Sequence, residues 1–392
     1  MDTRTRFLAV MNFEPVDRTL LWEDGYWLGA VRRWYREGLP KRQGVPQDIG
    51  DGMCAAGGSI PWDPISDDIP PADDINESLG LDESLRRIPV NNYFSPPFTE
   101  EVLEDRGDWV VRRDSNGVIR RDRKDRMSLP GFIGWPVKCR DDWERLKAER
   151  LRPSLRDRLP AEWIAWVERQ KSRTYPLAVG LRQGLYWAAR NLLGDEQVLF
   201  TFYDDPELIR DIMNYLTDFW IALYDPILEE VGADCAVFWE DVSFKNGPLI
   251  SPAMMREFML PCYRRFTDFL HDHGIRIVLV DSDGDCRLII PVLMEGGVTG
   301  LMPFEVNAKM DVVQIRKAFP RLQILGGIDK TQLALDKAAI DRELKAKVTP
   351  EMLRHGGFVP HVDHQVPPDV SWENFKYYRQ CLAEMAGAAN RT

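Results

Sequence analysis

Short apolar runs recur along the second half of the chain, and each ends in acids or histidine. Residues 277–280 are apolar and lead into Asp281, Asp283 and Asp285. Residues 237–239 lead into Glu240 and Asp241, 301–304 into Glu305, and 358–360 into His361, Asp363 and His364. An apolar run of this length beside a glycine or a turn reads as a buried parallel strand. Strands are predicted to start near Pro176, Ala236, Arg276, Val298, Leu322 and Gly357. Helical spacing fills the gaps, at 206–230, 252–272, 286–295, 310–319 and 330–347, with a last helix over 371–385. Asp205 before Pro206 and Ser251 before Pro252 are start signals, and Ser371 is a plainer cap.

Strands alternating with helices mean βαβ units and a parallel sheet. With one or two strands from the N-terminal part, residues 20–24 among them, the pattern predicts an α/β fold, a (β/α)8 TIM barrel. Its polar strand ends would converge on one C-terminal face. The chain reads as one domain over 1–392. Residues 161–392 hold the regular units. Residues 1–160 form an extension of long loops, with a β-hairpin excursion around Asn116-Gly117. A doubly wound open sheet is the other arrangement of the same pattern.

The chain has 392 residues, 44% of them hydrophobic, enough for a full core. Its formal net charge of -11 disfavours nucleic acid or an anionic membrane as partner. No apolar run reaches the roughly 18 residues of a spanning helix. The first residues lack the apolar core of a signal peptide, so the chain reads as cytoplasmic. Six scattered cysteines form no Cys-x-x-Cys pair, which argues against a disulfide framework or a zinc knuckle. Thirteen tryptophans are many for this length. Trp22, Trp187 and Trp239 fall near strand ends and could sandwich an aromatic substrate. Arg182 and Tyr186, in a segment with two glycines after a predicted strand, could meet its carboxylate or hydroxyl. That segment fails the Gly-x-Gly-x-x-Gly spacing.

Residues 6–18 (Arg-Phe-Leu-Ala-Val-Met-Asn-Phe-Glu-Pro-Val-Asp-Arg) resemble the opening of the uroporphyrinogen decarboxylase superfamily. Tyr203-Asp-Asp-Pro-Glu207, Leu249-Ile-Ser-Pro252 and Gly326-Gly-Ile-Asp329 are similar to its later landmarks. The resemblance spans nearly the whole chain and implies a (β/α)8 barrel. One branch decarboxylates uroporphyrinogen without a cofactor, and its arginine-rich Met-Arg-Gln-Ala-Gly-Arg segment is replaced here by Leu21-Trp-Glu-Asp-Gly-Tyr-Trp-Leu28. The other branch comprises cobalamin-dependent methyltransferases, usually zinc-dependent. Their His-x-Cys-Gly is Asp281-Ser-Asp-Gly284 here, and His364 stands near the place of the last ligand.

The resemblance therefore implies a corrinoid-dependent methyltransferase, with zinc on Asp281, Asp283 and His364. Glu240 would be a fourth ligand or a catalytic group. Glu305, His361 and Asp363 would stand behind the metal or act as the acid. Carboxylate and imidazole are harder ligands than thiolate, so an oxygen-bound methyl group suits the site better than a sulfur acceptor. The donor expected is a small methoxylated aromatic, demethylated at oxygen. No Asp-x-His-x-x-Gly corrinoid-binding motif occurs, so cobalamin would come on a separate corrinoid protein or free. The runner-up is a cofactor-independent decarboxylase or lyase. A third reading is a barrel that only binds a ligand. The oligomeric state is open, a homodimer included.

Overall fold

Six apolar runs become the neighbouring strands of one sheet in the computed structural model, which describes residues 1–41, 55–57, 59, 73–124, 130–181 and 183–389. The sheet has seven strands: β1 (Arg86–Arg87), β2 (Leu177–Leu181), β3 (Cys235–Trp239), β4 (Ile277–Asp281), β5 (Gly300–Met302), β6 (Gln323–Leu325) and β7 (Phe358–Val359). They pair in chain order and every pairing is parallel. Helices cross between them, as parallel pairing requires.

Alternate strand residues face one interior. Ala178, Cys235, Val237, Ile277, Leu279, Met302, Leu325 and Val359 pack there with Phe7, Val10 and Met11 of helix α1 (Thr3–Met11). That helix covers the N-terminal end, where the Met11 carbonyl accepts from Gln323 Nε2 at 2.8 Å. A larger apolar layer fills the space between the strands and the surrounding helices. The period of two has a direct consequence: Trp239 and Asp281 end the inward rows of β3 and β4.

The predicted first strand over residues 20–24 is not one, although the segment lies between the sheet's two edges. Towards β7, Thr19 Oγ1 donates to the Phe358 carbonyl at 2.6 Å, and Glu23 Oε1 accepts from Val362 N at 2.9 Å. Towards β1, Leu21 accepts from Asp82 N at 3.2 Å, and Ser59 links Glu23 to Leu85. Side chains and isolated backbone bonds replace a ladder here.

The expected caps form. Asp205 accepts from Leu208 N, Ser251 from Met254 N and Ser371 from Asn374 N. The helix predicted over 252–272 is interrupted by a π-turn, Met255–Met259. That over 330–347 splits, because Asp336 caps a second helix, Lys337–Lys347. The hairpin at Asn116-Gly117 joins Trp109–Arg113 to Ile119–Arg123, inside a four-stranded antiparallel sheet. Among the described residues no helix is long and apolar enough to cross a membrane.

Candidate active site

Carboxylates gather at the C-terminal ends of β3, β4 and β5. Asp281 completes the inward row of β4 and is 7% exposed. Burial pushes its carboxyl well above the usual range, and Asp241, Asp283 and Asp24 add to the rise. Asp283 stands higher, at the rim, with His364 Nε2 3.7 Å from its Oδ2. Burial pushes the Asp283 carboxyl up to about 7; His364 opposes the rise, while Asp241, Glu305 and Asp24 support it. Desolvation works against the imidazolium of His364, yet Asp283, Asp24 and Glu305 outweigh it and raise its pKa. These groups therefore bind protons more tightly than they would in water and titrate together.

Backbone strain helps to aim them. Asp241 and Phe304, each at a strand end, take φ of 41° and 63°. Non-glycine residues rarely hold such angles unless the surroundings enforce them, and such residues concentrate at functional sites. Asp241 accepts from Trp239 Nε1 at 2.8 Å and from Asp283 N at 3.3 Å. Glu305, one residue past Phe304, accepts from Gly284 N at 2.9 Å and so holds the turn that carries Asp283. Gly284 has φ +82°, and a Cβ there would lie 2.7 Å from the Phe244 backbone.

An aromatic wall stands beside the acids. Trp187 and Trp239 stack with centroids 4.9 Å apart and planes 14° from parallel. The Arg190 guanidinium lies 4.7 Å from the Trp187 ring centre. Helix α2 (Leu185–Leu193) carries Trp187, and Glu240 fixes its start. The Glu240 carboxylate accepts from Leu185 N and Tyr186 N at 2.8 Å each and from the Tyr263 hydroxyl at 2.5 Å. Burial pushes Glu240 up to about 7 against these bonds.

Several expected roles change. Glu240 is fully buried and committed to the start of α2, so it is neither a fourth metal ligand nor a group facing substrate. Its neighbour Asp241 faces the acids instead, because inward and outward positions alternate. Trp22 is enclosed in the interior core, stacked on Phe7 at 5.6 Å, and lines no pocket. Tyr186 is buried in the outer core, where burial pushes its phenol up to about 12. Arg182 lies outside the described residues. Asp363 is buried, accepting from Val306 N at 2.9 Å and Lys330 Nζ at 3.0 Å; it ties the loops after β5 and β6 and has no free oxygen for acid work.

His361 is enclosed at the end of the inward row of β7. Its Nδ1 lies 2.7 Å from the Val362 carbonyl, which assigns the proton to Nδ1, and among the described residues its buried Nε2 has no partner. Only a glycine fits beneath it: a Cβ on Gly326 would meet the Pro303 carbonyl oxygen at 2.0 Å and His361 Cε1 at 3.2 Å.

The zinc expectation can be tested against the donors. Among the described residues, no three His, Cys, Asp or Glu side chains come together as a metal-holding group. Depth separates the expected ligands, since Asp281 is sunk in the interior row while His364 and Asp283 stand at the rim, their side chains 35% and 40% exposed. The described donors do not fit a zinc site.

Residues 135–385 match the uroporphyrinogen decarboxylase (URO-D) family. The uroporphyrinogen decarboxylase of Syntrophotalea carbinolica is 25% identical over 181 residues, which are 46% of this chain and 50% of that one. The chain thus matches half the length of that curated relative. Among solved structures, a methyltransferase from Methanosarcina mazei superposes with a TM-score of 0.57 at 17% identity, covering 98% of this chain and 99% of the other. That likeness is one of fold.

Proposed function

The chain belongs to the uroporphyrinogen decarboxylase family, and from that premise we propose that it is a methyltransferase taking the methyl group of a methoxylated aromatic to a cob(I)alamin carrier. One observation carries the reading: buried carboxyls whose pKa values are raised stand beside a stacked indole pair at the mouth of the sheet. We read the seven strands and residues 19–24 as a (β/α)8 barrel whose eighth place is irregular.

The methyl acceptor is a second substrate, brought by a separate corrinoid protein or free, and it supplies the nucleophile. The chain's residues do the rest. The methyl–oxygen bond breaks and its electron pair goes to the ether oxygen. A phenolate is a poor leaving group near neutral pH, so a proton delivered to that oxygen lowers the barrier. Asp283 holds that proton, and His364 at 3.7 Å is placed to replace it. Trp187 and Trp239 stack the ring, with Asp241 fixing the second indole. Glu305 steadies the turn that bears Asp283.

The printed name of the curated relative favours a second reading, a cofactor-independent decarboxylase of the uroporphyrinogen type. The charges oppose it. A polycarboxylate substrate would meet Asp24, Asp241, Asp281, Asp283 and Glu305 in one mouth. The test is anoxic incubation with methoxylated arenes, with and without cob(I)alamin, following phenol by chromatography. Phenol released only with cob(I)alamin is the expected result. No phenol, together with carbon dioxide from uroporphyrinogen in its absence, would establish the second reading.

A further inference from the structure

Most acids of the mouth have a polar partner inside the protein. Asp241 has Trp239 Nε1 and Asp283 N; Glu305 has Gly284 N; Asp363 has Val306 N and Lys330; Asp283 has His364 at 3.7 Å. Among the described residues Asp24 and Asp281 are the exceptions, and Asp281 is the one on the inward row of the sheet. It is 7% exposed and ends the inward row of β4, and among the described residues its carboxylate accepts no hydrogen bond. A buried carboxylate without a partner costs stability, and such a group persists where a ligand supplies what is missing.

The charge around it says what the ligand brings. Asp241, Asp283 and Asp24 all act on Asp281 in the same sense, and Arg87 opposes them. The other nearby cations have work elsewhere: Lys330 pairs with Asp363, and Arg190 pairs with Asp195 while lying over Trp187. A neutral hydroxyl could give Asp281 a hydrogen bond but would leave this excess of negative charge. An ammonium group answers both, and indole faces close by favour a cation further.

We propose that the methyl donor is itself a cation, a methoxylated aromatic carrying an ammonium group, with Asp281 as its counter-ion. This rests on the proposed function for the methoxyarene part and adds the charge. Burial and the neighbouring carboxylates raise the Asp281 pKa in the empty site; a bound ammonium would lower it.

The test reads binding alone, so it stands whether or not turnover is found. Calorimetric titration of the full chain near neutral pH would compare para-methoxybenzylamine, para-methoxybenzyl alcohol and para-methoxybenzoate, which share a ring and differ in charge. A charge-assisted hydrogen bond predicts the amine binding roughly tenfold or more tighter than the alcohol, with the benzoate weakest. In Asp281→Asn that preference should vanish. Asp285→Asn should keep it, since Asp285 pairs with Arg287 outside the group. Equal affinity for amine and alcohol, no amine binding at millimolar concentration, or a preference that survives Asp281→Asn in a chain whose circular dichroism is unchanged would each overturn the proposal. Phenol release from neutral ethers with no amine preference would overturn it while leaving the demethylase reading intact.

Discussion

At the rim of the sheet one carboxyl and one imidazole face each other across 3.7 Å, and both hold protons more tightly than in water. If Asp283 is the acid, Asp283→Asn should lower the demethylation rate by roughly 100-fold or more. The wild-type rate should fall as pH rises through about 7, where Asp283 loses its proton. Stability should follow the same direction. Asp281, Asp283 and Glu240 have folded pKa values above their unfolded ones. The folded state therefore binds their protons more tightly, and this stabilisation is full below the ordinary carboxyl values near 4; the part due to Asp283 and Glu240 is lost as pH rises through about 7. Melting temperatures taken across that window should decline with pH, and Asp281→Asn should flatten the decline. A rise with pH would contradict this. At this scale the sequence was only partly legible. The acids after each apolar run were visible, and so was His364. Which acid faces inward depends on strand parity, and the Glu240–Asp241 pair can be assigned only once the inward row of Val237 and Trp239 is known. Trp22 read as a strand-end wall of the pocket because nothing local shows that helix α1 covers it.

Elements carry these side chains, and the joint between β3 and α2 is the most exposed to test. Glu240 ends the strand and holds the helix start, with Tyr263 of the Leu260–Asp272 helix beneath it. Tyr263→Phe removes one hydrogen bond to a buried carboxyl and should cost about 1–3 kcal/mol in urea unfolding. It should also weaken aromatic binding, because α2 positions Trp187. Gly284→Ala asks for a positive φ and for room the Phe244 backbone occupies. It should destabilise by roughly 1–3 kcal/mol and misplace Asp283, lowering the rate beyond the stability loss. Retention of full activity by either variant would argue against positioning through these contacts. The long elements were legible: all six strand starts and the capped helices follow from apolar runs and from Asp205, Ser251 and Ser371. β1 was not, since two arginines, Arg86 and Arg87, show no apolar run, and its pairing with β2 alone reveals it. The break at Asp336 was written in the chain as a second cap.

Across the molecule, the sheet's two edges meet through residues 19–24, and a buried ion pair fastens the last long helix, Trp372–Ala388, to them. Arg379 Nη1 lies 3.2 Å from Glu23 Oε2 and 2.8 Å from the Trp22 carbonyl oxygen. Arg379→Ala would leave a fully buried carboxylate without its cation and should cost about 3–5 kcal/mol. An unfolding free energy within error of wild type would show that the helix is held otherwise. The barrel-like order was legible from the alternation of elements, but residues 19–24 were not, because their bonds run mainly through Thr19, Glu23 and Asp82 side chains rather than a ladder. The zinc site expected from the resemblance required three donors at one depth, and depth is not readable from a motif.

The most direct measurement is the dependence of the demethylation rate on the acidity of the departing phenol, for the wild type beside Asp283→Asn, with cob(I)alamin present. If Asp283 protonates the leaving oxygen, the wild-type rate will vary little across a series of substituted methoxyarenes, and the variant will slow steeply as the phenol becomes less acidic. Equal sensitivity in the two proteins, or no phenol from either, would contradict the account.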